Sequence, residues 1–140
     1  MSGILWLDSS AVLAWYRGEP GYDEVVRLVT RAERGTHPVN VAQISLLEIA
    51  QAVARERGEA AARENIKLLG ELAIEIVAPT DEQCVAAGLL RARLRLSTAD
   101  AIIATQAMAA DAELVHKDPE FEAVAGLRQR RLPYKTTRRR

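Results

Sequence analysis

Gly3-Ile4-Leu5-Trp6-Leu7-Asp8-Ser9-Ser10 decides the fold: an unbroken apolar run halts at an acid and passes straight into helix-capping residues. A run this short suits a strand buried on both faces, not a helix. Asp8, Ser9 and Ser10 offer N-cap chemistry for a helix through Ala11, Val12, Leu13, Ala14, Trp15 and Tyr16, stopped by Gly18 and Pro20. Outward from this unit, apolar spacing and Gly or Pro stops predict helices over 21–34, 44–57, 59–69, 80–93 and 97–110. Strands are predicted over 39–41, 73–77 and 113–116, with a short helix or turn over 118–124 and an edge strand over 130–132. Strands separated by helices, with no hairpin signals, imply right-handed crossovers and a parallel sheet covered on both faces, the α/β class. Ligands bind such sheets beyond the carboxyl ends of the strands. Asp8 ends the first predicted strand and Asp118 lies just past the fourth, so both acids are aimed at that crevice.

The chain has 140 residues, 49% apolar and 27% charged, the balance of one ordinary folded domain, expected over 1–134 with a basic tail over 135–140. No apolar stretch approaches the ~18 residues of a spanning helix, and the first residues lack a signal peptide's pattern, so the expected location is the cytoplasm with no membrane contact. One cysteine and two histidines exclude an internal disulfide and a zinc-site spacing. Cys84, with Val85, Ala86 and Leu89 on the same predicted helix, reads as a small buried hydrophobe. The net charge of zero conceals an asymmetry: residues 1–127 carry twelve bases against nineteen acids, and the remaining seven bases all follow Leu127. A polyanion would be drawn to the end of the chain and repelled by any uncovered acidic cluster.

Two further acids interrupt apolar stretches: Glu48 within Ile44-Ser45-Leu46-Leu47-Glu48-Ile49-Ala50, and Asp100 within Thr98-Ala99-Asp100-Ala101-Ile102-Ile103. Carboxylates desolvated side by side resist ionisation, and a bound divalent cation removes that penalty. Hard oxygen ligands without Cys or His favour Mg2+ or Mn2+. Each acid also has a purely structural reading. Asp8 caps a helix, Asp100 closes a capping box with Ser97, Glu48 lies at the polar margin of its helix, and Asp118-Pro119 is turn chemistry. Their conjunction near strand ends and early helix turns favours the site.

The segments Leu7-Asp8-Ser9-Ser10-Ala11-Val12-Leu13-Ala14, Ser45-Leu46-Leu47-Glu48-Ile49-Ala50, Leu96-Ser97-Thr98-Ala99-Asp100-Ala101 and Leu114-Val115-His116-Lys117-Asp118-Pro119-Glu120-Phe121 resemble, in order and spacing, the four motifs of PIN-domain nucleases. The compact length and the turn at Gly18-Glu19-Pro20-Gly21 are most similar to VapC-type toxins of toxin–antitoxin pairs. This resemblance implies a three-layer α/β/α sandwich with strand order 3-2-1-4-5 and a Mg2+- or Mn2+-dependent endoribonuclease. It also implies a cognate VapB-type antitoxin and a homodimer. Carried over by position, Asp8, Glu48 and Asp100 would be metal ligands, with Asp118 completing the site directly or through water. Ser9 and Ser10 would orient ligands or phosphate. His116 and Ala42 stand where many relatives have Ser or Thr. His116 reads as hydrogen-bonded structure, or as a group touching phosphate or metal-bound water.

The six aromatics are not interleaved with bases, which disfavours stacking along a single strand and favours RNA recognised by shape and backbone. Arg91, Arg93, Arg95 and the basic tail are candidate phosphate contacts, or a solvated helix end. Trp15 and Tyr16 read as core packing or as a groove for a partner segment. A dehalogenase-type phosphatase would need a second Asp where Ser10 stands, and a receiver domain a further acid near the start. The alternative in another class is a catalytically silent PIN-like binding or structural module.

Overall fold

Side-chain alternation along the first strand sets which helices lie on which side of the sheet. In the structure, a computed structural model that describes residues 3–134, β1 (Leu5–Leu7) is buried throughout. Leu5 and Leu7 join one apolar cluster and Trp6 the other, as the two-residue period of a strand requires. The first cluster is filled by α1 (Ser9–Arg17), α2 (Tyr22–Glu33), α3 (Gln43–Arg57) and α4 (Glu59–Gly70), through Val12, Leu28, Ile49 and Leu69 among others. The second is filled by α5 (Asp81–Arg93) and α6 (Thr98–Ala109), through Leu90, Ala101, Ile103 and Ala104. Each fully buried Leu or Ile contributes about 1.5–3 kcal/mol, so both layers are held by burial more than by helix propensity.

The remaining strands are β2 (Val39–Ala42), β3 (Glu75–Val77), β4 (Glu113–His116) and β5 (Arg128–Arg131). All pairings are parallel and the order is β3-β2-β1-β4-β5, as the resemblance implies. β1 lies between β2 and β4, with Leu7 opposite both Val41 and Val115. The Asp8 amide donates to the Val115 carbonyl, at 3.0 Å, which fixes Asp8 at the carboxyl ends of both strands. No helix among the described residues is long and apolar enough to cross a membrane.

Two expectations are corrected. The last strand begins at Arg128, because Glu113 to His116 pair with Arg128 to Arg131. Leu132 then leaves the strand and buries in the first cluster, tight against Gly21, where an added Cβ would meet the Leu132 side chain at 3.0 Å. Gly21 also has φ 104°, a conformation other residues rarely adopt. Cys84 is exposed, with Val85 at 63% and Leu89 at 64% exposure, since Ala87 and Leu90 form the inward stripe of α5. Trp15 and Tyr16 are half-buried against the first cluster. Of the sequence-predicted basic tail, residues 135–140 lie outside the described residues.

Candidate metal centre

The site is assembled where β1 and β4 end and where α3 and α6 begin. Asp8 caps α1: its Oδ2 accepts from the Ser10 backbone N–H at 3.1 Å and from the Ser10 hydroxyl. The capping reading is therefore correct, yet it uses one oxygen only. Oδ1 of the same carboxylate is buried and has no hydrogen-bond partner among the described residues. An orphaned anionic oxygen costs far more than an unsatisfied neutral group unless a cation faces it.

Glu48 projects from the second turn of α3, half-buried, and its Oε1 accepts from the Ser9 hydroxyl at 2.9 Å. Asp100, 5% exposed, sits in the first turn of α6. Its backbone N–H donates to the Ser97 hydroxyl at 3.0 Å. In α5 the residue at the equivalent position, Gln83, closes the capping box on Thr80. The Asp100 carboxyl turns instead to Asp118, with which it is hydrogen-bonded. Asp118, past the end of β4, caps the short 3-10 turn Pro119–Ala123 through Oδ1 and the Glu120 N–H at 2.9 Å.

Two sets of acids result. Asp8, Glu48 and Asp100 each offer a carboxylate oxygen within 4.8 Å of the others, and Asp100, Asp118 and Glu120 do the same. Asp100 belongs to both. Glu120 was not among the sequence-predicted site residues; the signal for it is its position two residues after Asp118, on a turn that brings both acids to one side.

The crowding appears in the titration of these groups. Burial is the largest influence on Asp8, pushing its carboxyl from 3.8 up to about 6 against the opposing Ser10 hydrogen bonds. Burial likewise raises Glu48, and the charges of Asp8 and Asp118 add to it. Asp100 is pushed up to about 9, first by burial, then by the hydrogen bond to Asp118 and the charges of Asp8, Asp118 and Glu48. In the metal-free protein near neutral pH, Asp100 therefore holds its proton. Such a set of hard oxygen donors fits a divalent cation, which would give Asp8 Oδ1 a partner and counter the like-charge repulsion.

The surrounding groups hold the acids in place. Ser10 bridges two loops, its hydroxyl donating to Asp8 and accepting the Lys117 N–H at 2.9 Å. Lys117 directs its own ammonium away, to the Pro20 carbonyl at 2.8 Å and to Glu19 at 3.8 Å. His116 is fully buried. The Gln129 amide nitrogen donates to the Phe121 carbonyl, so its oxygen receives the His116 Nε2–H at 2.8 Å. Nδ1 then accepts the Asp118 N–H at 3.0 Å. The ring is neutral, and burial lowers its pKa. His116 braces the loop that carries Asp118, in line with its structural reading. Ala42 occupies the N-cap of α3 and gives that helix no side-chain cap.

A family model described as PIN domain matches residues 5–127. Solved structures that share the fold include the following three. A VapBC2 complex from Rickettsia felis, bound to a promoter DNA fragment, is 18% identical, covering 93% of this chain and 99% of its own, with TM-score 0.75. VapBC-1 from nontypeable Haemophilus influenzae is 19% identical, covering 91% and 97%, with TM-score 0.69. VapC20 of Mycobacterium tuberculosis, described as a sarcin–ricin loop cleaving toxin, is 16% identical, covering 85% and 93%, with TM-score 0.67. No curated protein sequence matches.

Proposed function

Because the chain belongs to the PIN-domain family, we propose that it is a metal-dependent endoribonuclease, the toxin of a VapC-type toxin–antitoxin pair, with Asp8, Glu48, Asp100 and Asp118 as its catalytic metal ligands. The observation that carries this reading is the buried, unpartnered Asp8 Oδ1 beside carboxylates that approach one another within 4.8 Å. Likeness to structures of toxin–antitoxin complexes, and to a toxin described as cleaving the sarcin–ricin loop, supports RNA as substrate and a VapB-type antitoxin as partner. A homodimer in the cytoplasm is the form we expect to act.

Mg2+ or Mn2+ supplies charge neutralisation at a phosphoryl oxygen and lowers the pKa of water. The protein's part is positioning. Ser9 holds the Glu48 carboxylate and Ser10 holds that of Asp8, each by a hydroxyl donor that leaves the carboxylate ionised. His116 fixes the backbone of Asp118 from behind, and Glu120 places a further carboxylate at the rim. Hydrolysis adds water's oxygen to phosphorus and breaks the P–O3′ bond, with one of water's protons passing to O3′, so that a 5′-phosphate and a 3′-hydroxyl are released.

The test is cleavage of structured RNA by purified protein in Mn2+, in Mg2+ and in chelator. Activity confined to the metal-containing reactions, and absent from Asp100→Asn, is expected. The Asn amide can donate to Asp118 as protonated Asp100 does, so this variant keeps its fold. Equal cleavage in chelator refutes the metal mechanism, and no cleavage of any RNA points to the silent binding module.

A further inference from the structure

We propose that the groove between the end of α5 and the start of α6 holds the RNA backbone next to the scissile bond, with Arg91 and Arg95 as phosphate-positioning residues. This rests on the nuclease reading above and specifies the direction from which the strand enters.

The distribution of charge supports one entry side. Most basic side chains near the sheet are neutralised within the fold. Arg128 pairs with Asp111, Arg130 with Glu24 and Glu113, and Arg131 with Glu122. Arg17 pairs with Glu56, and Lys117 is held by Glu19. The arginines of β5, counted in the sequence among the seven bases after Leu127, thus contribute little free positive charge. Arg91, Arg93 and Arg95 are exposed and make no ion pair among the described residues. A polyanion approaching an acidic centre needs such unspent charge beside it.

The same region contains an open cavity of about 650 Å3, lined by Arg91, Leu94, Arg95, Leu96, Ser97 and Glu120. That volume falls within the ~300–1,000 Å3 of ligand sites. The groove is continuous with the metal centre through two of its walls. Ser97 receives the Asp100 N–H, and Glu120 lies within ligand distance of Asp100 and Asp118. Arg91 is held in place by its Nε–H, which donates to the Leu96 carbonyl at 2.9 Å, leaving the terminal guanidinium nitrogens to meet phosphate. Arg95, on the loop that follows, has no such tether. Leu94 and Leu96 give the groove apolar walls for sugar and base. A second cavity, lined by Ser10, Arg17, Glu19 and Lys117 among others, has both of these cations paired with glutamates among the described residues.

The experiment compares wild type, Arg95→Glu, Arg91→Glu, Arg93→Glu and Lys67→Glu in saturating Mn2+, by steady-state cleavage and by anisotropy of a labelled RNA oligomer. Arg95→Glu is the primary variant, because its exposed side chain has no part in holding the fold. It should raise KM and Kd about tenfold with kcat within about threefold. The slope of log(kcat/KM) on log salt should become shallower by about 0.7 for each phosphate no longer neutralised. Arg91→Glu should act in the same direction. Lys67→Glu, on the exposed face of α4, controls for net charge and should change neither. Unchanged KM and Kd for Arg95→Glu, or an equal effect of Arg93→Glu, which lies outside the groove lining, overturns the proposal. If wild type cleaves no RNA, the nuclease reading fails separately, and the anisotropy comparison alone decides the groove.

Discussion

Asp8→Asn should make the metal-free protein more stable, not less, by a margin that grows from about pH 4 to pH 6. Asp8 titrates near 6 in the folded chain against 3.8 ordinarily. Below both values the carboxyl is neutral in either state and costs nothing. As pH rises from 4 toward 6 the unfolded chain ionises first, so the folded state loses stability until its own carboxyl ionises. From there the loss is constant, about 3 kcal/mol for a group this buried. An amide escapes that loss. Its oxygen can still accept from Ser10, and its NH2 takes the place of the unpartnered oxygen, facing nearby carboxylates. Allowing for imperfect geometry at the NH2, we expect a gain of about 2 kcal/mol at pH 8 in chelator, or about 6–10 °C in Tm. At pH 4 most of that gain should be gone.

Saturating Mn2+ should reverse the order. An ion at one hundred times its Kd stabilises wild type by about 2.7 kcal/mol, whereas the variant has lost a ligand. The assay is thermal melting followed by far-UV circular dichroism across pH 4–9, with and without metal. A difference between variant and wild type that does not change with pH would refute the argument that burial of an unpaired charge governs this site. So would a Mn2+ shift of equal size in both proteins.

By the same linkage Asp100→Asn should stabilise the metal-free protein at pH 7, because Asp100 stays protonated in the folded chain while it ionises in the unfolded one, and the gain should shrink as pH falls toward 4; urea melts check this. By the same reasoning, metal binding near neutral pH should release about one proton, and apparent affinity should rise with pH, as read by calorimetry in buffers of different ionisation enthalpy. Ser9→Ala removes the hydroxyl that holds Glu48 and should weaken Mn2+ binding about 10–100-fold, with little change in the metal-free melt. Gly21→Ala forces a left-handed backbone on alanine and drives its Cβ into Leu132, so it should cost about 2 kcal/mol or more in urea unfolding while leaving metal affinity intact.

How much of this was legible in the sequence follows from the range of the forces involved. Helices and strands were readable because caps and apolar runs act over a few residues. Asp8 after Leu7 announced both a strand end and a helix start, and the structure has both. The strand order came through the resemblance, since periodicity says nothing about which strands are neighbours. Cys84 was misread because α5 is apolar on more than one side. Only the packing against α6 reveals that Ala87 and Leu90 point inward while Val85 and Leu89 do not.

Charge was the least readable quantity. The arginines of β5 look in the sequence like a polyanion-binding terminus, yet their partners are Glu113 on the neighbouring strand, Asp111 just before it, Glu24 on α2 and Glu122 on the 3-10 turn. Glu120 escaped notice for the converse reason. It resembles one more surface acid until the 3-10 turn places it beside Asp100. Electrostatic function here depends on which charges remain unpaired after folding. The acids at the centre and the arginines of the adjoining groove are among the groups in which the fold leaves that imbalance, and a divalent ion and a phosphate backbone are the ligands whose charges would cancel it.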